Sequence, residues 1–388
     1  MCSIMLSFVL IGLGIFVVSA ERVAVVQIFR HGHRTPVTFY PTDPYKNSDV
    51  WNGKSLGELT NVGKIQHYEL GNFTKNRYSL FMPNKYHSSH FRIETTDVDR
   101  TDMSAQVNVY SMFPATGDDI WLPSINWHPI PIRSCDESIW SSMYYPVSCD
   151  IFFQLLADVL SSEEYQELNK KYESTYKILS KNSGKEVTDV VGAMDIWDSL
   201  KSEDTIGLTL PDWTKEVYPE PLRTLVGYAF ASSTFTTQMK RFFIGPFLNE
   251  IVKYFNSMAE NPTSSQRFKL YSGHDTNIAA VLNTLRAFNP PYPPAFASSI
   301  YFELEKEGKE YYVKVFSKDG DDFKQISVNG CQLNCSLSDF KSKLEDVLTD
   351  VPSRDRECSQ RAFLSPQPTA QISTLVSNLR ERLRNFST

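Results

Sequence analysis

The most clearly patterned segment of the chain is the apolar run Val23–Phe29, which leads directly into a cluster of arginines and histidines. A β-branched, apolar run of this length is typical of a strand that is buried on both faces of a parallel sheet. Parallel sheets bind ligands beyond the carboxyl ends of their strands. We therefore expect residues 30–36 to lie at a functional site.

The next elements repeat the order of strand and helix. A helical pattern covers Thr60–Tyr78, a short strand is predicted at Phe91–Ile93, and a second helical pattern follows within Thr95–Met112. The aromatic and proline-rich stretch Trp121–Ile132 has the composition of a loop that leaves a sheet. It marks a candidate domain boundary.

Between Asp150 and about Trp213 the pattern is helical without clear strands. An apolar stripe recurs there at spacings of three and four residues, formed by Tyr165, Leu168, Tyr172, Tyr176 and Leu179. Such a stripe packs into a core far more often than it binds a ligand. We interpret this region as a helical insertion.

The remaining pattern returns to alternating helices and strands. Its segments are a long helical pattern at Leu222–Met258, a strand at Arg267–Ser272, a helix at Ile278–Phe288, and paired strands at Ala297–Leu304 and Tyr311–Phe316. A chain of 388 residues is long for a single core. The sequence thus predicts an α/β domain formed by residues 21–132 and 222–388, interrupted by a helical cap at residues 133–221.

The first 20 residues carry no charged side chain and end in the small-residue sequence Val18-Ser19-Ala20. We interpret residues 1–20 as a secretory signal peptide that is cleaved before Glu21. A membrane anchor or a core helix would be the alternative, but the run is short for a membrane span. The mature protein is expected to be secreted and extracellular, with a lysosomal location less favoured and no membrane association.

Charge excludes one class of partner. A net charge of −6 and a pI near 5.7 leave no basic stripe for nucleic acid.

Five cysteines remain after Cys2 is removed with the signal peptide. Cys331 and Cys335 could close a short local loop in an oxidising compartment, and one long-range disulfide could tie the middle of the chain to its C-terminal region. A zinc site is not expected, because no nearby histidine or second close cysteine pair completes it. Secretion also makes three glycosylation sequons usable, at Asn72, Asn334 and Asn385.

The residues Arg30, His31, Gly32 and Arg34 have the chemistry of a phosphate site. An imidazole nitrogen can attack phosphorus as a covalent nucleophile. Guanidinium groups bind the non-bridging oxygens and stabilise the charge that spreads over them in the transition state. The sequence therefore predicts His31 as nucleophile, flanked by phosphate-binding Arg30 and Arg34.

A second pair of residues, His274 and Asp275, follows the predicted strand Arg267–Ser272. His274 could donate a hydrogen bond to the transferring phosphoryl group, and Asp275 could protonate the leaving oxygen. Because both strands end at the same edge of a parallel sheet, the pair is expected near His31.

Each of these residues also has an ordinary structural interpretation. His31 and His33 could form a metal pair, but Arg30 and Arg34 would repel a divalent cation. Arg34 could be a surface ion-pair residue, and Asp275 could simply cap a helix. No metal or cofactor is expected.

Three elements together resemble those of the histidine acid phosphatases, a branch of the histidine phosphatase superfamily. They are the R-H-G-x-R-x-P signature at residues 30–36, the T-D-V-D-R-T element at residues 96–101, and the H-D pair at residues 274 and 275. The resemblance extends from about Arg22 to Cys358 and is strongest to secreted animal enzymes of the prostatic, lysosomal and venom kind. It implies a three-layer α/β sandwich around a mostly parallel sheet, with a helical cap insertion.

The resemblance also implies residue roles. These are a phosphohistidine at His31, phosphate binding by Arg30, Arg34 and His274, and proton donation by Asp275. The resemblance further implies the disulfides Cys149–Cys358 and Cys331–Cys335, which leave Cys135 as the unpaired thiol.

One position departs from the family pattern. The resemblance implies a third phosphate-binding arginine two residues before Thr96, where this chain has Glu94. Two unit charges about 4 Å apart at an effective dielectric of about 20 interact by about 4 kcal/mol, so a carboxylate there would weaken binding of a phosphate dianion. Arg92 lies on the same face of an extended strand and could reach the phosphate or pair with Glu94.

Two hypotheses follow. The first is a secreted acid phosphatase that hydrolyses small phosphomonoesters or phosphorylated peptides. Its activity would be reduced or altered by Glu94. A homodimer is compatible with this hypothesis. The second is a catalytically weak phosphatase-like binding protein, which rests on Glu94 alone.

Overall fold

The computed structural model describes residues 20–134, 149–262 and 264–361, together with Val376, Ser377 and Arg380. Within this part of the chain one mixed sheet forms the centre of the fold. Its strands are β1 (Glu21–Arg30), β2 (Phe91–Thr95), β3 (Arg133–Ser134), β4 (Phe268–Gly273), β5 (Ser299–Glu307), β6 (Glu310–Asp319), β7 (Asp322–Ile326) and β8 (Cys335–Ser336). They lie in the order β3-β2-β4-β1-β5-β6-β7, with β8 paired to β6.

The two strands that carry the predicted site are direct neighbours. β1 and β4 pair in parallel, with Arg30 opposite Gly273 in the register. His31 and His274 therefore leave the sheet side by side at the same edge. On its other side β1 pairs with β5 in antiparallel orientation, and β2 and β3 extend the parallel part of the sheet beyond β4.

Strand β1 is buried on both faces, as its apolar run predicts. Ala24, Val26 and Ile28 belong to one hydrophobic cluster, whereas Val25 and Phe29 belong to another on the opposite face. The period of two along the strand supplies both clusters from one continuous apolar run. The predicted α/β sandwich around a mostly parallel sheet is confirmed.

Helices cover both faces of the sheet. They are α1 (Asn61–Arg77), α2 (Asp99–Met112), α3 (Asp150–Leu160), α4 (Glu163–Lys171), α5 (Glu173–Ser183), α6 (Val190–Thr205), α7 (Leu222–Ser232), α8 (Thr237–Phe243), α9 (Gly245–Glu260), α10 (Asp275–Thr284), α11 (Leu337–Leu344) and α12 (Val351–Arg361). Helices α1 and α2 supply residues such as Leu70 and Val109 to the cluster that contains Phe29. The other cluster includes residues of α3 to α11.

The helical pattern predicted over Leu222–Met258 is divided in the structure into three helices, α7, α8 and α9. The Thr236 hydroxyl accepts a hydrogen bond from the Met239 N–H and so starts α8 as an N-cap. Pro246 then occupies the first turn of α9, where its missing N–H costs no helical hydrogen bond. The apolar stripe from Tyr165 to Leu179 is likewise shared between α4 and α5, and it packs into the core as expected.

Both expected disulfides are present, joining Cys149 to Cys358 and Cys331 to Cys335. The first ties the start of α3 to α12. Among the described residues, no helix is both long and apolar enough to cross a membrane. The predicted signal peptide, apart from Ala20, and the residues Cys135 and Asn385 lie outside the described residues.

Candidate active site

The loop of residues 30–36 is held from three directions. The His31 N–H donates to the Gly273 carbonyl at 2.9 Å, and the His31 carbonyl accepts from the Ala297 N–H at 3.1 Å. The Gly32 N–H donates to Ser104 Oγ in α2 at 3.1 Å. These contacts fix the backbone of His31 against β4, the loop before β5, and α2.

Gly32 also lies in direct backbone contact with Gly63 at the start of α1. A Cβ added at Gly32 would lie 2.3 Å from the Gly63 carbonyl oxygen, and a Cβ added at Gly63 would lie 2.2 Å from the His33 carbonyl oxygen. Neither contact distance is sterically allowed. Glycine is therefore required at both positions, because the loop packs on the helix without intervening side chains.

The ring of His31 has a defined tautomer. Its Nδ1 lies 2.8 Å from the Gly32 carbonyl oxygen, which can only accept a hydrogen bond. Nδ1 therefore carries the proton, and Nε2 of the neutral ring has a free lone pair. Burial lowers the pKa of His31 well below its usual range, and the positive charges of Arg100, Arg30 and Arg34 lower it further. The imidazole is thus kept in its neutral, nucleophilic form.

Arg34 lies in the interior beside the carboxylate of Asp198, a residue of α6. Its two terminal nitrogens bind Asp198 Oδ2 at 3.1 Å and Oδ1 at 2.8 Å. The same carboxylate accepts from the Val37 N–H at 2.8 Å. A bidentate pair holds a guanidinium in a fixed plane, so the orientation of Arg34 is set by α6.

Arg30 is held by three groups. One terminal nitrogen lies 2.8 Å from Asp275 Oδ2, and the other donates to the Pro294 carbonyl at 2.5 Å. The guanidinium also lies 4.1 Å from the centre of the Phe296 ring, a cation–π distance. The arginine predicted to bind phosphate therefore contacts the residue predicted to donate the proton.

Arg100 brings a third guanidinium to the site. It belongs to the first turn of α2 and is 2% exposed. Among the charges that lower the pKa of His31 and of His274, that of Arg100 has the largest effect on both. The positive charge of Arg100 thus acts on both histidines and favours their neutral forms.

His274 reaches the site at the junction of β4 and α10. Its N–H donates to Asn277 Oδ1 at 2.9 Å, which satisfies one polar group at the start of the helix. Its ring centre lies 5.7 Å from that of His31. The positive end of the α10 dipole lies at the same point and favours an anion there.

A chain of hydroxyl groups fixes the proton on His274. The one proton of the Thr101 hydroxyl is directed at the backbone carbonyls of Val98 and Thr96, at 2.7 and 3.0 Å, so the Thr101 oxygen accepts from the Thr96 hydroxyl at 2.7 Å. Thr96 Oγ1 in turn accepts from His274 Nε2 at 3.1 Å. Nε2 therefore carries a proton and can serve as a hydrogen-bond donor.

His33 has a structural position rather than a catalytic one. Its Nδ1 lies 2.6 Å from Thr60 Oγ1, and its Nε2 lies 2.9 Å from the Ser202 carbonyl of α6. Burial lowers the pKa of His33 to about 4, so the ring is neutral near pH 7. Both ring nitrogens contact protein groups, and the residue joins the loop to α1 and α6.

The comparisons with known proteins agree with this geometry. A family model, Histidine phosphatase superfamily (branch 2), matches residues 23–318. The chain is 32% identical to prostatic acid phosphatase of Bos taurus, with 87% of both chains covered. It is also 30% identical to venom acid phosphatase Acph-1 of Apis mellifera, with 89% of this chain and 90% of the relative covered.

This chain belongs to branch 2 of the histidine phosphatase superfamily. It is a phosphoric monoester hydrolase of the histidine acid phosphatase kind. The apo form of Hafnia alvei phytase superposes on this histidine phosphatase with a TM-score of 0.65 at 16% identity, and 86% of this chain and 98% of the phytase are covered. At that identity the likeness concerns the fold alone.

The histidine phosphatase brings together the residues that its sequence singled out. His31, Arg34 and His274 are buried around one site, and Arg30 and Asp275 line a cavity beside it. Their catalytic and phosphate-binding roles stay predictions.

The expectation built on Glu94 changes. The Glu94 carboxylate pairs with Arg92, whose Nε lies 2.5 Å from Glu94 Oε1. Burial raises the pKa of Tyr271, and the negative charge of Glu94 adds to that effect. Arg100, the arginine of the T-D-V-D-R-T element, also acts on both histidines, since its positive charge lowers their pKa after burial does. Arg92 pairs with Glu94 at this strand, which was one of the two alternatives the sequence left open.

Sequence reasoning missed two residues of the site. Asp198, which orients Arg34, lies in the helical insertion and has no local motif around it. Arg100 lies within the quoted T-D-V-D-R-T element, and its place in the first turn of a predicted helix was a signal that could have identified it.

Proposed function

We propose that this histidine phosphatase is a secreted acid phosphatase that hydrolyses small phosphomonoesters or phosphorylated peptides through a phosphohistidine at His31. The observation that carries the proposal is the hydrogen bond from His31 Nδ1 to the Gly32 carbonyl. It leaves Nε2 with a free lone pair, in a site where three arginines lower the pKa of the ring. A neutral imidazole surrounded by cations is suited to attack an anionic phosphate ester.

The phosphate is expected to bind among Arg30, Arg34, Arg100 and His274, whose Nε2–H would leave Thr96 Oγ1 to donate to the phosphate. To reach Arg30, the phosphate would replace the Asp275 carboxylate as its partner. Three guanidiniums and a neutral donor would neutralise the non-bridging oxygens as charge spreads over them in the transition state.

The reaction then proceeds in two steps. His31 Nε2 forms a bond to phosphorus while the bond from phosphorus to the leaving oxygen breaks, and the protonated form of Asp275 gives its proton to that oxygen. In the second step water attacks the phosphohistidine, Asp275 takes the proton from the water, and inorganic phosphate and His31 are released. The residue roles follow the resemblance, and the placement of Asp275 beside Arg30 supports them.

The contacts of Glu94 weigh against the catalytically weak alternative. Arg92 balances the charge of Glu94, and Arg100 supplies a guanidinium near both histidines. We therefore expect efficient turnover rather than a reduced one, and we do not propose a binding protein.

Covalent trapping tests this function. Purified protein is mixed with a radiolabelled phosphate ester at pH 5, quenched in alkali within milliseconds, and examined for a label that is stable to base and labile to acid, as expected for a phosphohistidine. The wild type should form the label, and His31→Ala should not. The control is His87→Ala, which removes an exposed histidine. Equal labelling of His31→Ala, or turnover by the wild type no greater than by His31→Ala, would overturn the proposal.

Secretion is supported by the two disulfides and by the relatedness to venom acid phosphatase Acph-1 of Apis mellifera. Asn334 is exposed beside the Cys331–Cys335 disulfide, whereas Asn72 is half-buried on α1. Expression in animal cells should deliver the protein to the medium with Glu21 at its N-terminus, and removal of N-glycans should lower its apparent mass. Retention of an intact N-terminus inside the cells would contradict secretion.

A further inference from the structure

A second cavity lies between α7, the loop after α10, and strands β6 and β7. Its volume is about 370 Å³, which is enough for a small organic molecule. The described residues that line it include none of those expected to bind phosphate or to transfer a proton. The apolar part of the lining favours a ligand with an apolar group. It consists of Leu282, Ala287, Pro290, Pro291 and Ile326.

Two charged side chains of this cavity lack a partner of opposite charge. Arg223 of α7 is exposed, lies 5.9 Å from the centre of the Tyr292 ring, and forms no ion pair with any described residue. Asp319 of β6 is half-buried, and its Oδ1 accepts a hydrogen bond from the Ala295 N–H at 2.7 Å. It too forms no ion pair within the part of the chain that the structure describes. Both groups are therefore available to a ligand.

The other charged groups of the cavity already have partners. Lys324 pairs with Asp322, whose Oδ2 lies 2.7 Å from the lysine Nζ. Glu220 Oε2 accepts hydrogen bonds from the N–H and the hydroxyl of Thr224, at 3.2 and 2.7 Å. Three carboxylates face two cations around this cavity, so a ligand that carries only negative charge is disfavoured. A ligand with both charges can bind the two side chains that lack a partner.

Asp319 also links the cavity to the active site. The Ala295 N–H that it binds belongs to the segment between α10 and β5, and the Pro294 carbonyl of this segment accepts a hydrogen bond from Arg30. Burial raises the pKa of Asp319, and the positive charges of Arg30 and Arg223 act against that shift. Asp319 therefore lines the cavity and also supports the segment that holds Arg30.

We propose that this cavity binds a small apolar zwitterion, an amino acid or a short peptide. The ligand carboxylate binds Arg223, the ligand ammonium group binds Asp319, and the apolar side chain packs on the apolar lining. The inference does not rest on the proposed phosphatase function, because none of the residues expected to bind phosphate takes part in it.

The test is a saturation-transfer NMR titration at pH 6.5 with L-leucine and with glycyl-L-leucine, which hold their two charges at different separations. We expect the wild type to bind at least one of them with a Kd of about 1 mM or lower. Arg223→Met and Asp319→Asn should each weaken that binding by about fivefold or more, as the loss of an ion pair implies. Asparagine at position 319 still offers an acceptor to the Ala295 N–H. The matched controls, Arg356→Met and Asp321→Asn, change exposed residues that do not line the cavity and should bind like the wild type.

Two analogues with a single charge assign the contacts. L-leucinamide keeps the ammonium group, so Asp319→Asn should weaken its binding and Arg223→Met should not. The opposite result is expected for 4-methylpentanoate, which keeps the carboxylate.

The outcomes keep this proposal separate from the phosphatase function. Failure of both zwitterions to bind the wild type, or equal binding by Arg223→Met, Asp319→Asn and the wild type, would overturn the proposed cavity ligand. Displacement of the bound zwitterion by inorganic phosphate would also overturn it, since the ligand would then occupy the phosphate site. Turnover of a phosphate ester by the wild type and by His31→Ala is measured independently of these titrations.

Discussion

The carboxylate of Asp198 binds both terminal nitrogens of Arg34, although 164 residues separate the two in sequence. The pair is buried, and its geometry fixes the plane of a guanidinium that is expected to bind phosphate. A helix of the insertion between β3 and β4 thus sets the orientation of a residue in the loop after β1.

The first prediction concerns this pair. Asp198→Ala leaves the buried Arg34 charge without its partner, so we expect the free energy of unfolding to fall by about 3 kcal/mol. Asp198→Asn keeps the shape and an acceptor but loses the bidentate pairing, so kcat/KM for a phosphate ester should fall by roughly 10- to 100-fold. Urea denaturation and steady-state kinetics measure the two effects. Asp212→Asn, at an exposed ion pair, is the control, and wild-type kcat/KM in Asp198→Asn would contradict the prediction.

The second prediction distinguishes Arg100 from Glu94. Arg100→Met should lower kcat/KM by about 100-fold or more and weaken inhibition by inorganic phosphate, because one of three guanidiniums at the site is lost. Glu94→Gln should change kcat/KM by less than about threefold, since Arg92 already balances its charge. Glu94→Arg should give no gain. A strong rise in turnover for Glu94→Arg would show that Glu94 opposes phosphate binding after all.

The third prediction concerns pH. Burial and the nearby arginines lower the pKa of His31, so the imidazole stays neutral and nucleophilic at a pH below its ordinary value of 6.5. We therefore expect kcat/KM to fall on the acidic side of its pH profile only well below pH 6.5; this fall is the acidic limb. Removing one cation by Arg100→Gln raises the pKa of His31 and should move that limb to higher pH. A profile of the residual activity from pH 3 to 7 measures the shift, and an unmoved limb would count against the placement of Arg100.

The fourth prediction concerns Glu203, which lies in α6 beside Asp43. Burial raises the pKa of Glu203 to about 9, and the charge of Asp43 adds to the effect. The folded state then holds a proton that the unfolded chain releases above about pH 4.5, so stability is full below that pH and is lost as the pH rises toward 9.

Glu203→Gln removes this titrating group while keeping its shape. We expect the decline of unfolding free energy between pH 5 and pH 8 to become shallower in this variant, since one proton contributes up to about 1.4 kcal/mol per pH unit. Urea denaturation at several pH values gives the slope, with the exposed Glu216→Gln as control. Identical slopes in Glu203→Gln and the wild type would refute the assignment.

The parts of the site that could be predicted are those that depend on local patterns in the sequence. The apolar run Val23–Phe29 identified β1, and the parallel-sheet rule placed His274 near His31 before either position was known. Arg100 was harder, because the chain leaves β2 and turns into α2, whose first turn brings the guanidinium back to the histidines. The resemblance instead implied the third phosphate-binding position on the strand itself, where this chain has Glu94.

Asp198 could not be predicted from sequence, since its contact with Arg34 is a product of tertiary packing with no local pattern. The same holds for the three helices formed from Leu222–Met258, whose breaks depend on Thr236 as a cap and Pro246 in a first turn. Helical periodicity marks the faces of helices better than their ends.

The attachment of the 30–36 loop to α6 also bears on how the protein folds. His33 contacts the Ser202 carbonyl across 169 residues, and Arg34 reaches Asp198 across 164. Contacts between residues so far apart carry a large loop-closure entropy and form late. During synthesis, β1 leaves the ribosome long before the partners of its loop exist. The proposed phosphate site is therefore complete only when α6 has docked on the loop, so we expect regained activity to report completed folding more strictly than regained helix content does.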